Sequence, residues 1–180
     1  MSRQSDEKIA SILERNANYS KTVHISPPGI RDIVKKNKAL GRRGTAIVSC
    51  ADPRITPEQF LGLEFGEAAI IRNAGGHTAP AHATLLALDS IGGLGTIIVI
   101  HHTDCGMSTM SEKEFRDTAK AKHPEINLPA GEIYGAIENP EETVKADVEY
   151  LKGFESWGNA DVTIAGFVLD TESGVLRRVI

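Results

Sequence analysis

The run Thr45-Ala46-Ile47-Val48-Ser49-Cys50 constrains this chain most. Every residue in it is small, β-branched or apolar, without the polar–apolar alternation of a strand that has one wet face. A strand of this kind is buried on both sides. It therefore needs helices above and below it, which is the arrangement of a mainly parallel α/β sheet. The rest of the chain fits that reading. Ala68 to Arg72, Thr96 to His101 and Val162 to Leu169 read as further strands, with Thr96 to His101 the most apolar and central. Thr171 to Gly174 turns the chain into a last extended segment, Val175 to Ile180.

Helical signals fall between the strands. Thr56-Pro57-Glu58-Gln59 reads as a helix start, with a Thr N-cap, proline at the first helical position and Gln placed for a capping box. Pro80 to Ile91 is rich in Ala and Leu and is stopped by Gly92-Gly93. Ser111-Glu112-Lys113-Glu114 is a second capping box, opening a helix to about Lys122. Asn139-Pro140 opens a last helix with Val144, Val148 and Leu151 on one face. Between these two lies a Pro- and Gly-containing loop, His123 to Asn139, long enough to be functional or interfacial. At the N-terminus, Ile9, Ile12 and Leu13 predict a short amphipathic helix, followed by a polar arm through Ser26, Pro27, Pro28 and Gly29.

The chain, 180 residues long, reads as a single domain. Residues 44–180 form its α/β core, and residues 1–43 form an N-terminal helix and arm. The fold class is α/β, with helices around a mainly parallel sheet. A formal charge of −4, spread without long single-sign blocks, argues against a nucleic-acid partner. The longest apolar runs, such as Gly95 to Ile100, are too short to span a bilayer, so no membrane partner is expected. The first residues have neither an apolar signal-peptide core nor an acid-poor, Arg-rich presequence, and the expected location is cytoplasmic. In that compartment two cysteines are reduced thiols, ligands or nucleophiles rather than a structural disulfide.

Ligands of parallel sheets bind beyond the carboxyl ends of the strands. Two strands end there in chemically active clusters: Cys50-Ala51-Asp52-Pro53-Arg54, and His101-His102-Thr103-Asp104-Cys105. If those strands are neighbours, two thiols and an imidazole meet about one strand spacing apart, ~4.8 Å. Two soft thiolates with one imidazole suit Zn²⁺, and three protein ligands leave a fourth position open, as in catalytic sites. The predicted metal ligands are Cys50, His102 and Cys105. His101 competes with His102, but adjacent strand residues point to opposite faces. The His-x-x-Cys spacing favours His102, which leaves His101 packed or hydrogen-bonded on the other side.

Asp52 has two readings. It occupies the fourth zinc position, or it pairs with Arg54 and accepts a hydrogen bond from metal-bound water, with Arg54 keeping it ionised. His24, His77, His82 and His123 have no comparable setting and are assigned surface or packing roles. Gly75 and Gly76 serve a tight turn, and no phosphate-binding glycine pattern is present.

The stretches Cys50-Ala-Asp-Pro-Arg54, Ile71-Arg-Asn-Ala-Gly-Gly76 and His101-His-Thr-Asp-Cys-Gly106, in that order and spacing, resemble the β-class carbonic anhydrase family from about Gly44 to the C-terminus. The resemblance implies zinc on Cys50, His102 and Cys105, and Asp52 with Arg54 as the catalytic dyad beside it. It also implies a mainly parallel four-stranded sheet extended by a C-terminal strand and flanked by helices, and attack of zinc hydroxide on CO₂ to give bicarbonate. A homodimer or homotetramer is implied too, with the N-terminal helix packing on a partner subunit. Pro53 departs from the small residue many members have there and leaves the dyad untouched. The compact chain looks like the shorter branch of the family, which also resembles hydrolases of carbonyl sulfide or carbon disulfide. Those share the same ligands and dyad, so carbonyl sulfide hydrolysis to CO₂ and H₂S is the alternative activity. A third reading is a non-catalytic zinc- or redox-responsive binding protein, the outcome if Asp52 closes the site.

Overall fold

The computed structural model describes residues 3–127, 129, 131–158 and 161–180. It divides into two units, Met1–Lys36 and Asn37–Ile180. The first holds helix α1 (Arg3–Thr22) and the start of α2 (Ile30–Ala39). α1 is much longer than the short helix expected from its three apolar residues, and α2 lies where an irregular arm was expected. Both corrections have one cause. Their sequences are mostly polar helix formers such as Arg, Glu, Gln and Lys, so propensity favours a helix where hydrophobic periodicity shows little. Ile9, Ile12 and Leu13 of α1 are about half exposed or more.

The second unit is built on strands β1 (Gly44–Cys50), β2 (Ala69–Asn73), β3 (Leu94–His102), β4 (Thr163–Leu169) and β5 (Leu176–Arg178). They form a single sheet in the order β2-β1-β3-β4-β5. The first four are mutually parallel, and β5 returns antiparallel on β4. The expected fold class, four parallel strands extended by a C-terminal one, is what the chain adopts. β1 and β3 are hydrogen-bonded neighbours over Gly44–Ser49. That pairing brings the two strand-end clusters to one edge of the sheet.

Alternation along the strands sorts side chains between two layers. Ala46, Val48, Ile97 and Val99 join Ala81, Leu85, Val144, Val148, Leu151 and Trp157 in the larger core. Its helices are α4 (Thr78–Gly92) and α6 (Pro140–Lys152). Ile47, Ile100 and Leu169 go to the other face, where Ile55 and the partly buried Phe60 and Leu61 cover them. That cover comes from α3 (Pro57–Phe60), a helix of one turn.

The local signals fared unevenly. Ser111 opens α5 (Glu112–Lys122) with a complete capping box, and the Asn139 side chain accepts from Glu141 N and Glu142 N at the start of α6. Thr56 does not cap α3: its hydroxyl donates to Gln59 Oε1 at 3.1 Å instead of receiving a backbone N–H. α3 ends at Phe60, within one turn, and Gly62 just after it has a φ of +61°. α6 is followed by one more short helix, α7 (Glu155–Gly158), which places Trp157 in the core. The described part of the long loop, 123–127, 129 and 131–139, holds neither helix nor strand. Residues 128 and 130 of that loop lie outside the described residues.

Candidate metal centre

β1 carries Cys50 at its last position, where it pairs with Asn73 of β2. β3 ends at His102, and the turn after it returns Cys105 to the same point. The turn is sharp enough to put Asp104 at a φ of +51°, the left-handed region that Asp tolerates better than most residues. Among the described residues, one potential metal-binding group is Cys50, His102 and Cys105, all buried, with ligand atoms within 4.8 Å of one another. Asp52 is not part of that group.

The three side chains fit a tetrahedral zinc. Cys50 Sγ and Cys105 Sγ lie 3.8 Å apart. Two thiolates about 2.3 Å from a tetrahedral ion stand about 3.8 Å apart, whereas a disulfide needs about 2.05 Å. Both cysteines are free. His102 is 1 % exposed, and its Nδ1–H donates to the Thr103 carbonyl at 2.9 Å. Its Nε2 is buried without a hydrogen-bond partner. A buried, unpartnered ring nitrogen whose opposite N–H is fixed by a carbonyl has the tautomer that a metal ligand needs.

The electrostatics favour thiolate. Cys50 is lowered to about 4, first by its contact with Cys105, then against burial by His102 and by the backbone of Asp52 and Gly75. The Asp52 N–H reaches Cys50 Sγ at 3.4 Å, and the Met107 N–H reaches Cys105 Sγ at 3.4 Å. Cys105 moves up, because a second thiolate beside the first is resisted by Cys50 and by burial. Burial also works against charge on His102, but Cys50 more than offsets it and its pKa is raised. A divalent ion held there would supply the positive charge that lets both thiols ionise together.

Asp52 is committed to Arg54. Oδ1 accepts from Arg54 N–H at 2.9 Å and from Nε at 3.0 Å, and Oδ2 accepts from Nη2 at 2.7 Å. These bonds hold the Asp52 carboxyl down at about 2. The guanidinium is clamped from its other side, donating to Asp104 Oδ2 and to the Asp104 carbonyl, each at 2.7 Å. Arg54 thus joins the Asp52 segment to the Asp104 turn. Of the two readings open to Asp52, this geometry is the pair with Arg54.

Glycines bring the next turn onto the site. Gly76 has a φ of +82°, and a Cβ there would lie 2.9 Å from Cys50 N and from Ser49 C. Ile137 and Met107 pack against the two cysteines. The loop bearing Ile137 is tied down by Glu112, whose carboxylate accepts from Tyr134 N at 2.6 Å and from Gly135 N and Ala136 N at 3.2 Å.

His101 lies on the opposite face of β3 from His102, as strand alternation requires. It meets His77 and Asp147 in a second buried group whose ligand atoms lie within 4.8 Å of one another. His77, assigned a surface or packing role from sequence, is instead 8 % exposed and bonded through Nδ1 to Asp147 Oδ2 at 2.8 Å. A signal for this group existed: Asp147 is a carboxylate on the apolar face of α6, between Val144, Val148 and Leu151. His82 packs among Tyr150, Phe154 and Trp157 and accepts from Trp157 Nε1 at 3.0 Å. His24 and His123 are exposed.

A family model described as carbonic anhydrase matches residues 45–152. β-Carbonic anhydrase 1 of Mycobacterium tuberculosis is 30% identical over 135 residues, covering 74% of this chain and 80% of that protein. Carbon disulfide hydrolase of Acidithiobacillus thiooxidans is 29% identical over 150 residues, covering 73% of this chain and 74% of that one. The crystal structure of carbonic anhydrase from Streptococcus mutans aligns with a TM-score of 0.67 at 29% identity, over 87% of this chain and 100% of that one. The family match spans β1 through α6, and so includes both strand ends that meet at the candidate centre. By sequence and fold, this chain belongs to the β-carbonic anhydrase family.

Proposed function

We propose that the protein binds zinc through Cys50, His102 and Cys105 and hydrates CO₂ to bicarbonate. The observation that carries this reading is the donor set itself: two thiols 3.8 Å apart facing an unpartnered His102 Nε2. Zinc held there supplies a Lewis acid that makes water nucleophilic near neutral pH. The chain's own contribution is orientation. Asp52, fixed on both oxygens by Arg54, stays ionised and is held beside the donor residues as a hydrogen-bond acceptor for the attacking water. Because its carboxylate is engaged by Arg54, Asp52 would not compete with water for zinc held by Cys50, His102 and Cys105. Asp104 holds Arg54 in place from the outside. A binding protein with a closed site has no use for this arrangement, which favours an enzyme.

Carbonyl sulfide hydrolysis is the second reading, supported by the likeness to carbon disulfide hydrolases at an identity close to that for the anhydrases. COS is a linear isostere of CO₂, and water attack on its carbon gives CO₂ and H₂S. Two such isosteres are separated by pocket size and polarity rather than by ligands. One paired assay on the zinc-loaded protein decides: stopped-flow CO₂ hydration beside H₂S release from COS and from CS₂. Rapid sulfide release with negligible hydration overturns the first reading. Stoichiometric zinc with neither activity makes the protein a binder.

A homodimer or homotetramer accompanies this proposal, with α1 packing on a partner subunit. Its support is the exposure of Ile9, Ile12 and Leu13, at 51%, 48% and 62%. The cytoplasm is the proposed location, since two thiols at this separation need a reducing compartment to stay unpaired. Among the described residues, no helix is long and apolar enough to cross a membrane.

A further inference from the structure

The second buried group has hydrogen-bond directions that a proton inventory does not satisfy easily. Thr143 Oγ1 donates to the Asn139 carbonyl at 2.9 Å, which leaves its lone pairs to receive His101 Nδ1–H at 2.8 Å. In that tautomer the bare Nε2 of His101 faces Asp147 Oδ2 at 3.2 Å, acceptor against acceptor. Nε2 is fully buried and has no hydrogen-bond partner. His77 approaches the same oxygen from the other side, with its Nδ1 bonded to Oδ2 at 2.8 Å. Asp147 Oδ1 is already occupied by Thr78 N and Thr78 Oγ1, both at 2.6 Å, so the carboxylate is turned to present Oδ2. Two imidazole nitrogens and one carboxylate oxygen therefore converge; the buried His77 Nε2 has no hydrogen-bond partner, but Thr143 supports the far side of the His101 ring and Thr78 the far side of the carboxylate. That is how the outer partners of a metal site orient its ligands.

We propose that His77, His101 and Asp147 form a second divalent-metal site, of the zinc and cobalt class, separate from the thiolate centre. A single divalent ion replaces two protons at the ring nitrogens that face Oδ2. The ion leaves His101 one N–H for Thr143 Oγ1. It also avoids placing two protonated rings around one carboxylate in a buried space. The distances are close to those required. Ligands about 2.0–2.1 Å from a tetrahedral ion are about 3.3 Å apart, and the observed separations from Oδ2 are 2.8 and 3.2 Å. Two nitrogens and an oxygen make a borderline donor set, which zinc and its neighbours fill. His101 and His102 are consecutive in β3, so the two centres hold the same strand end from opposite faces.

The test is metal loading of the full chain, stripped with chelator and titrated with Co²⁺, then with Zn²⁺ and elemental analysis after dialysis. Cobalt on thiolates gives an intense near-ultraviolet charge-transfer band; cobalt on His₂Asp does not. The expected result is two equivalents per chain, only one of them raising that band. His77→Val should bind one equivalent with the band retained, and Cys50→Ser with Cys105→Ser should bind one without it. Saturation of the parent protein at a single band-forming equivalent overturns the proposal, whatever the variants do. So does retention of two equivalents in folded His77→Val or, should that variant fail to fold, in His77→Gln. A single equivalent with no band supports the second site and removes the thiolate centre of the proposed function.

Discussion

Gly76 offers a quantitative test of how the turn after β2 shapes the candidate centre. In Gly76→Ala the new methyl meets Cys50 N and Ser49 C at 2.9 Å and Ile100 O at 3.1 Å, all backbone atoms with no flexible side chain to yield. Placing a non-glycine residue at φ +82° costs about 1–2 kcal/mol. Forcing an extra methyl into a packed site costs about 1–3 kcal/mol more. The expected loss is therefore about 2–5 kcal/mol, within reach of a fold stabilised by about 5–15 kcal/mol. Two other glycines separate these contributions. Gly62→Ala has φ +61° and open space, so it should lose only the backbone part. Gly106→Ala sits beside Cys105 with open space and no positive φ, and should stay within about 1 kcal/mol of the parent. Urea unfolding of the metal-free proteins, followed by the single tryptophan, buried Trp157, measures all three without the stability a bound ion adds. The reasoning fails if Gly76→Ala is no less stable than Gly62→Ala. It also fails if a destabilised Gly76→Ala holds zinc as tightly as the parent, because the clash pushes directly on the backbone of Cys50.

Other expectations follow from the same geometry. Cys105→Ser should lose most zinc and, with it, at least about a hundredfold in hydration rate, read by elemental analysis and stopped flow. The Asp52 carboxyl is lowered to about 2 by Arg54, so its contribution to stability is full above about pH 4 and is lost as pH falls through 2. Arg54→Met should therefore raise the pH at which acid unfolding begins, seen by circular dichroism against pH. Glu112→Gln weakens the charge-assisted bonds to Tyr134, Gly135 and Ala136, and amide exchange there should quicken about tenfold while β1 and β3 stay protected. Ile12→Asp with Leu13→Asp should lower the oligomer mass measured by light scattering if α1 packs on a partner; an unchanged mass removes that helix from the interface.

The candidate centre was legible because its parts are local. Cys50 closes an unmistakable buried strand, His102 and Cys105 are three residues apart, and neighbouring parallel strands bring their carboxyl ends together. Choosing His102 over His101 needed the two-residue period of a strand, which lets only one of them reach the thiols, and the His-x-x-Cys spacing, which favours the second. The second group was illegible for the opposite reason. His77 and Asp147 are 70 residues apart, and no spacing rule links the start of α4 to the third turn of α6. Asp104 escaped notice because its role depends on a left-handed backbone and a guanidinium reaching across from the neighbouring strand end. Helices α1 and α2 were under-read because a polar helix shows little hydrophobic period. The Thr56 cap failed where a hydroxyl had two bonding choices, which sequence does not rank.

The consecutive imidazoles of β3 also limit how this chain can vary. One inserted or deleted residue between Leu94 and His102 reverses the parity of the strand, sending His101 toward the thiols and His102 toward Asp147. Both polar groups would then be assembled from the wrong partners, and the apolar residues before them would change faces at the same time. Length changes are therefore confined to segments outside this strand, such as the connection from α5 to α6, where no alternation is counted.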